Sequence, residues 1–546
     1  MRTRVRPLTA TIALAVTALA GTPLVPVSPA SAAAGSPAVR PPLGWNSWNT
    51  FGCDINESKI RAAADAMVSS GMSAAGYQYV VVDDCWQATT RDASGNLRGD
   101  GDRFPSGMKA LGDYIHGKGL KFGIYQAPRE QTCAQYFNSI GGATGALGHE
   151  QQDANTFASW GVDYLKYDWC SPWGTLDDQI ASFSTMRDAL RATGRPIVYS
   201  INPNSAHANT GALYNWSSVA DMWRTTEDIT DSWSTGCAGD CFMGITEILD
   251  VQAPLYSWAG PQHWNDPDML EVGVHGTFTP TENRAHLSMW AMMAAPLIAG
   301  NDITSMPADV RTVLINPDVL AIDQDSAGRQ AQRVSDSGET EVWAKTLSDG
   351  SAAVALLNRS AATATVSTTA TAAGMPAASG YHTYEVWTQA IRNTTGAISA
   401  TVPPHGVVMY RVRTGSAIAT DSFSLRGAGS GRCLDVLGGA PNDGTQAVIW
   451  DCNGGFTQVV TAVSGQLRIS GKCLDAEGNG TVNGTRVIVW TCGAGTNQQW
   501  AMQDDGTIRG VQSGRCIDVN EAATANNTPL ILWTCSAAAN QRWGRL

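Results

Sequence analysis

Between about residues 40 and 302 a single pattern recurs, and it limits the fold more than any other feature of the chain. Eight short apolar runs end in polar residues, and helical stretches separate most of them. The runs are LGWNSWN from Leu43, YQYVVVDDCW from Tyr77, LKFGIYQ from Leu120, DYLKYDWC from Asp163, PIVYSINP from Pro196, ADMWRTTED from Ala220, HWNDPDML from His263 and APLIAGND from Ala295. SKIRAAADAMVSSG and DDQIASFSTMRDALRATG show the helical texture between them. Eight strand–helix units in about 260 residues match a (β/α)8 barrel. An open doubly wound sheet is the alternative, but no Gly-x-Gly-x-x-Gly follows an early run to support its commonest form.

The ends of these runs hold charges that packing does not need. In YLKYDWC, Lys166 and Asp168 sit at the end of an apolar stretch, where burial is costly unless the charges are paired and hydrogen-bonded. Barrel enzymes place their sites at the C-terminal ends of the strands, so these residues fall where a pocket would open. Strand alternation gives Lys166 and Asp168 one parity and Leu165 and Tyr167 the other; Arg224 and Asp228 likewise share a parity. Asp83, Asp84, Asp168, Asp228, Asp266 and Asp268 are the acidic candidates. Two carboxylates across a pocket are the minimum equipment for glycoside hydrolysis. The neighbouring Lys166 predicts an ionised Asp168, suited to a nucleophile. For any single one of these aspartates, a structural ion pair at a strand end is the alternative.

The whole chain, at 546 residues, is too long for one core. Arg2, Arg4 and Arg6 precede an apolar run from Leu8 to Ala20, and Ala30-Ser31-Ala32 offers a cleavage site. Residues 1–34 therefore read as a secretory signal peptide, since the run is short for a spanning helix. No later segment has the length and apolarity to cross a membrane, and secretion to the extracellular space is expected. A net charge of −12 without a basic run argues against nucleic acid as a partner. The barrel is expected over residues 35–318. From 319 to 414 a Thr-, Ala-, Val- and Ser-rich texture with period-two alternation predicts an antiparallel β-sandwich. Residues 415–420 read as a linker.

Residues 421–546 contain a repeat. GRCLDV, GKCLDA and GRCIDV recur about every 40 residues, and each Cys has a partner nineteen positions on: Cys433 with Cys452, Cys473 with Cys492, Cys516 with Cys535. The second and third units end in NQQW and NQRW. Three units of this size must close on one another to bury a core. These motifs resemble the ricin-type β-trefoil, a carbohydrate-binding module. The resemblance implies Asp435, Asp475 and Asp518 as sugar-hydroxyl acceptors, Trp450, Trp490 and Trp533 as stacking platforms, and Asn497 and Asn540 as polar partners. Two departures stand out: Val448, Ile488 and Ile531 replace the glutamine often found two residues before the aromatic, and TQVV replaces the first NQxW. A trefoil kept only for structure is the alternative.

LGWNSWNTFGC, VDDCW, DRFPSGMKALGDYIHGKGLKFGIY, YLKYDWC, WNDPDML and MAAPLIAGND resemble glycoside hydrolase family 27, the α-galactosidase family. The resemblance runs from about residue 41 through the sandwich. It implies a retaining exo-glycosidase with Asp168 as nucleophile and Asp228 as acid/base. It further implies sugar contacts from Trp45, Asp83, Asp84, Tyr125, Lys166 and Arg224, the aspartate pair taking the 4- and 6-hydroxyls of galactose. Where many members carry Cys-Glu-Trp after strand five, this chain has Asn202, which opens N-acetylgalactosamine or β-L-arabinopyranose as alternative substrates. The resemblance also implies disulfides Cys53–Cys85 and Cys133–Cys170, which leaves Cys237 for Cys241. No metal or cofactor is expected: Cys-x3-Cys lacks a second ligand pair, and DASGNLRGDGD (92–102) lacks full calcium-loop spacing. The implied partner is a galactose-containing oligo- or polysaccharide. A secreted lectin with a dead barrel is the competing reading, and the intact Asp168, Asp228, Lys166 and Arg224 oppose it.

Overall fold

In the computed structural model the described residues are 37–171, 173–204, 209–237, 239, 241–388, 390–415, 422–503 and 505–546. The expected signal peptide and residues 416–420 of the expected linker lie outside them.

Eight parallel strands form the first sheet: β1 (Leu43–Asn46), β2 (Tyr79–Val82), β3 (Lys121–Gln126), β4 (Tyr164–Asp168), β5 (Val198–Asn202), β6 (Met222–Arg224), β7 (Trp264–Asp266) and β8 (Leu297–Ala299). Sequence neighbours are sheet neighbours from β1 to β7, and β8 returns to pair with β1. A parallel bridge between Leu270, just past β7, and Ala299 closes the ring into a (β/α)8 barrel. The helices begin where polar caps allow. Asn56 accepts from the Lys59 N–H ahead of Glu57–Ser69, and Thr175 and Asp178 make a reciprocal capping box ahead of Leu176–Ala192.

Alternation divides each strand between two surroundings. Val80, Val82, Ile124, Leu165, Tyr167, Ile201 and Trp223 face outward into the main core shared with the helices. Tyr79, Val81, Tyr164, Val198, Met222 and Trp264 face inward as a separate apolar cluster plugging the barrel. Burying each such large side chain contributes roughly 1.5–3 kcal/mol. The interior is tight at this level: a Cβ on Gly123 would lie 2.7 Å from Val81 Cγ2. The next residues of the same inward parity are Asp83, Lys166, Asp168, Asn202, Arg224 and Asp266. The pleat thus stacks a polar mouth on an apolar plug.

The second domain comprises β9 (Gln332–Asp336), β10 (Thr340–Thr346), β11 (Ala352–Asn358), β12 (Ala364–Thr369), β13 (Tyr381–Glu385), β14 (Ile391–Thr394), β15 (Ala397–Val402) and β16 (Val407–Thr414). A six-stranded antiparallel sheet, ordered β14-β13-β16-β11-β10-β9, packs on the pair β12-β15 as a β-sandwich. Val342, Ala344, Val354 and Leu356 face β12-β15, whereas Trp343, Ala353, Ala355, Leu357 and Met409 join the main core of the barrel. Both faces of β10 and β11 are therefore dry, and helix Pro317–Asp323 spans the boundary expected at 318/319.

Among the described residues from Ser422 onward, thirteen short strands build the trefoil. Each repeat places its first cysteine opposite the tryptophan that precedes its second: Cys433 faces Trp450, Cys473 faces Trp490, and Cys516 faces Trp533. Leu434 and Ile449, Leu474 and Val489, Ile517 and Leu532 meet in one core, so the three repeats close together. Six disulfides join Cys53–Cys85, Cys133–Cys170, Cys237–Cys241, Cys433–Cys452, Cys473–Cys492 and Cys516–Cys535. Among the described residues no helix is long and apolar enough to cross a membrane.

Candidate active site

A cavity of about 540 Å³ opens at the C-terminal ends of the strands. Asp83, Asp84, Tyr125, Lys166, Asp168, Asn202, Arg224 and Asp228 all line it. Register explains their convergence. Tyr125 pairs with Lys166, and Asp83 follows Val82, which pairs with Ile124, so Asp83, Tyr125 and Lys166 form one level. One pleat further up, Asp168 pairs with Asn202 and Arg224 with Asp266.

Lys166 bridges two carboxylates: its Nζ lies 2.9 Å from Asp83 Oδ2 and 3.6 Å from Asp168 Oδ2. The same Asp83 oxygen accepts a 2.6 Å bond from the Asn46 amide. The lysine therefore favours Asp83, which modifies the expectation that it holds Asp168 ionised. Burial is the larger influence on Asp168 and pushes its carboxyl up to about 7, with Lys166 and then Arg224 opposing. Asp168 Oδ1 is buried and has no hydrogen-bond partner among the described residues. Such an orphaned carboxylate oxygen is costly to keep, and it is free to meet a substrate.

Asp84 is pushed up to about 6 by burial, although the Ala134 and Cys85 N–H groups donate to its two oxygens at 2.8 and 2.6 Å. Arg224 spans Asp268 at 2.9 Å and Asp228 at 3.1 Å. The Asp228 side chain is 55 % exposed, so one carboxylate sits at the rim and the other, Asp168, on the floor.

Two positions differ from expectation. Trp45 shares its parity with Leu43, points outward into the main core and donates its indole N–H to the Asn301 carbonyl at 2.8 Å. It does not line the cavity. Asn46 Oδ1 accepts from the Trp48 N–H, ending β1 and starting the helical turn Trp48–Phe51, and this places Trp48 at the cavity instead. Asp268, grouped by sequence only among the acidic candidates, also lines the cavity, as does Met269. The WNDPDML motif carried that signal, and alternation along LGWNSWN would have turned Trp45 away. In the 92–102 loop, Asp92 and Asp100 accept backbone N–H groups of their own turns, as in ordinary turn capping.

The trefoil repeats are not equivalent. Asp475 accepts from Asn497 and Gln498, both at 2.8 Å, and Asp518 accepts from Asn540 at 2.9 Å and Gln541 at 2.7 Å. Among the described residues Asp435 receives a side-chain amide from Gln458 alone, at 2.7 Å, because Thr457 replaces the asparagine, and its other oxygen accepts from the Val436 N–H at 2.6 Å. Trp490 and Trp533 are 46 % and 45 % exposed, while Trp450 is partly covered. The first-repeat loop is also engaged by the sandwich. Tyr384 OH, which donates to Asp318 Oδ2 at 2.7 Å, lies 3.3 Å from the Cys452 carbonyl, Arg411 donates to the Asn453 carbonyl at 3.3 Å, and a Cβ on Gly454, at φ +63°, would overlap the Tyr384 ring.

The family model described as Alpha galactosidase A matches residues 40–325. The chain belongs to the α-galactosidases of glycoside hydrolase family 27. Residues 337–412 match the Alpha galactosidase C-terminal beta sandwich domain, and 421–543 the Ricin-type beta-trefoil lectin domain. Alpha-galactosidase A of Cellvibrio japonicus is 48 % identical over 59 % of this chain and 76 % of its own. The alpha-galactosidase of Cyamopsis tetragonoloba is 43 % identical over 68 % of this chain and 85 % of its own. Among solved structures, alpha-galactosidase I from Mortierella vinacea superposes with a TM-score of 0.65 at 33 % identity, covering 71 % of this chain and all of that one. In this α-galactosidase Asn202 belongs to the same site. That residue lines the cavity with its Oδ1 accepting from the Asn204 N–H at 3.0 Å, so its amide N–H2 is the group left to address a substrate.

Proposed function

We propose that the enzyme is exported and removes terminal α-D-galactosyl residues from oligo- or polysaccharides with retention of configuration. The observation that carries this reading is a buried Asp168 with one unpartnered oxygen, facing the same cavity as the exposed Asp228. Asp168 Oδ1 attacks the anomeric carbon and forms a glycosyl–enzyme ester, while the Asp228 carboxylic acid protonates the departing glycosidic oxygen. Water, deprotonated by the Asp228 carboxylate, then hydrolyses the ester, and Asp168 is released with its original pair of electrons. Arg224, 3.1 Å from Asp228, holds that carboxyl at the rim.

Asp83 and Asp84, both lining the cavity beside Lys166, are the groups that would take the 4- and 6-hydroxyls of galactose. Asp83 already accepts from Lys166 and Asn46, which fixes its orientation before substrate arrives. A neutral Asn202 in place of a carboxylate weakens the hold on the 2-hydroxyl by about 1–2 kcal/mol. With the aspartate pair present, galactose is preferred to β-L-arabinopyranose, which lacks C6, and to N-acetylgalactosamine. The six disulfides fit an oxidising, exported environment. Proton NMR of the first-formed product tests the mechanism: α-galactose is expected, and β-galactose as the initial product would remove Asp168 from the nucleophile role. Comparing kcat/KM for nitrophenyl α-galactoside, β-L-arabinopyranoside and α-N-acetylgalactosaminide tests the sugar, and a higher value for either alternative overturns the galactose assignment.

A further inference from the structure

Above its polar floor the cavity changes character. Phe137 and Phe242 line it, yet they are 60 % and 63 % exposed. Exposed aromatic rings on the wall of a concave site are apolar surface that a bound ligand can cover. Neither ring is on a loose end. Phe137 caps the short helix Cys133–Tyr136, its N–H bonding the Cys133 carbonyl at 2.9 Å, and Cys133 is disulfide-bonded to Cys170, two residues beyond Asp168. Phe242 directly follows Cys241, which closes a five-residue loop with Cys237. Cys133, Cys170 and Cys241 line the same cavity, so Phe137 follows a helix tied by a disulfide to the strand-four end of its wall and Phe242 follows a loop closed on itself at its wall.

The neighbouring groups identify the occupant. Asp228, also on the rim, must reach the glycosidic oxygen, and beyond that oxygen lies the leaving group. A pyranose presents apolar C–H faces that stack on aromatic rings, and polar Asn49 and Ser139 line the same mouth to meet its hydroxyls. We infer that Phe137 and Phe242 form a leaving-group subsite that stacks the sugar attached to the galactosyl unit, and so select carbohydrate aglycones. The inference rests on the glycosidase reading of the floor.

The test compares melibiose, whose leaving group is a glucose unit, with α-galactosyl fluoride, whose leaving group is a single atom. For Phe137→Ala and Phe242→Ala, the ratio of kcat/KM on melibiose to that on the fluoride is expected to fall about three- to tenfold per ring. The melibiose loss should fall mainly in KM. Phe242→Trp should restore most of the ratio, which a role in folding would not allow. An unchanged ratio in both alanine variants, or an equal fall on both substrates, overturns the subsite. Failure of the unsubstituted enzyme to release fluoride would instead overturn the reading of the floor, so the two failures are distinguishable.

Discussion

The barrel cavity and the trefoil repeats both set an aspartate at a strand position and give it partners, but the partners differ in kind. On the barrel floor the buried Asp83 and Asp168 share the Lys166 ammonium, and buried Arg224 spans Asp268 beside it and Asp228 at the rim. In the trefoil Asp475 and Asp518 each receive two neutral amides beside a half-exposed tryptophan. Fixed charges in a dry site shift protonation and can stabilise developing charge, which is the basis of catalysis. Amides only orient a carboxylate for hydrogen bonding, which suits reversible holding of a sugar. The contrast teaches that an aspartate's role follows from its surroundings more than from its identity.

The largest effect is expected where the comparison is sharpest. Asp168→Asn removes the proposed nucleophile and should lower kcat on α-galactosides by on the order of 10³–10⁵-fold, measured by steady-state assay. Its pH dependence follows from the raised pKa. In the parent enzyme, ionised Asp168 is lost as pH falls through about 7, so kcat/KM should decline on that acid limb. Stability runs the other way: a buried carboxyl whose folded pKa is raised from 3.8 to about 7 opposes folding progressively above pH 3.8 and fully above about 7. Asp168→Asn should therefore raise the melting temperature at pH 8, and the gain should vanish near pH 4. A variant less stable than the parent at pH 8 would show that Asp168 is held by compensated ion pairs and is not strained.

A smaller, substrate-dependent effect is expected at the rim. Asp228→Ala should lower turnover of natural galactosides by about 10²–10⁴-fold but spare nitrophenyl galactosides, whose leaving group departs without a proton. Equal losses on both would take Asp228 out of the acid role. The trefoil should show the smallest effect and an asymmetric one. Asp475→Ala and Asp518→Ala should each weaken retention on an insoluble galactose-containing polysaccharide by about tenfold, with activity on soluble substrate unchanged. Asp435→Ala should change retention little, because the first repeat has lost its asparagine and its loop is held by Tyr384 and Arg411. Equivalent losses from all three would erase the distinction between the repeats.

Much of this organisation was legible in the chain. Eight polar-ended apolar runs predict a closed barrel because parallel strands need helical crossovers and charges at their C-terminal ends need a pocket. Parity along YLKYDWC already puts Lys166 and Asp168 on one side, and the repeat with its cysteine spacing of nineteen already predicts three units closing on one another. The same alternation, applied to LGWNSWN, separates Trp45 from the inward positions Gly44 and Asn46; motif resemblance alone did not make that distinction.

What the sequence determined by itself is local and periodic: which residues face which side of a strand, where helices start, and which cysteines repeat. Those follow from backbone geometry that any chain of this pattern must obey. The tertiary structure decided which charges meet. Lys166 lies nearer Asp83 than Asp168 because neighbouring strands set their levels, and no spacing along one strand reports the distance across two. It also decided that both faces of β10 are buried, because the barrel core closes over Trp343. Contact with the sandwich likewise singled out the first of three similar repeats, through a close approach at Gly454 that only the folded chain creates.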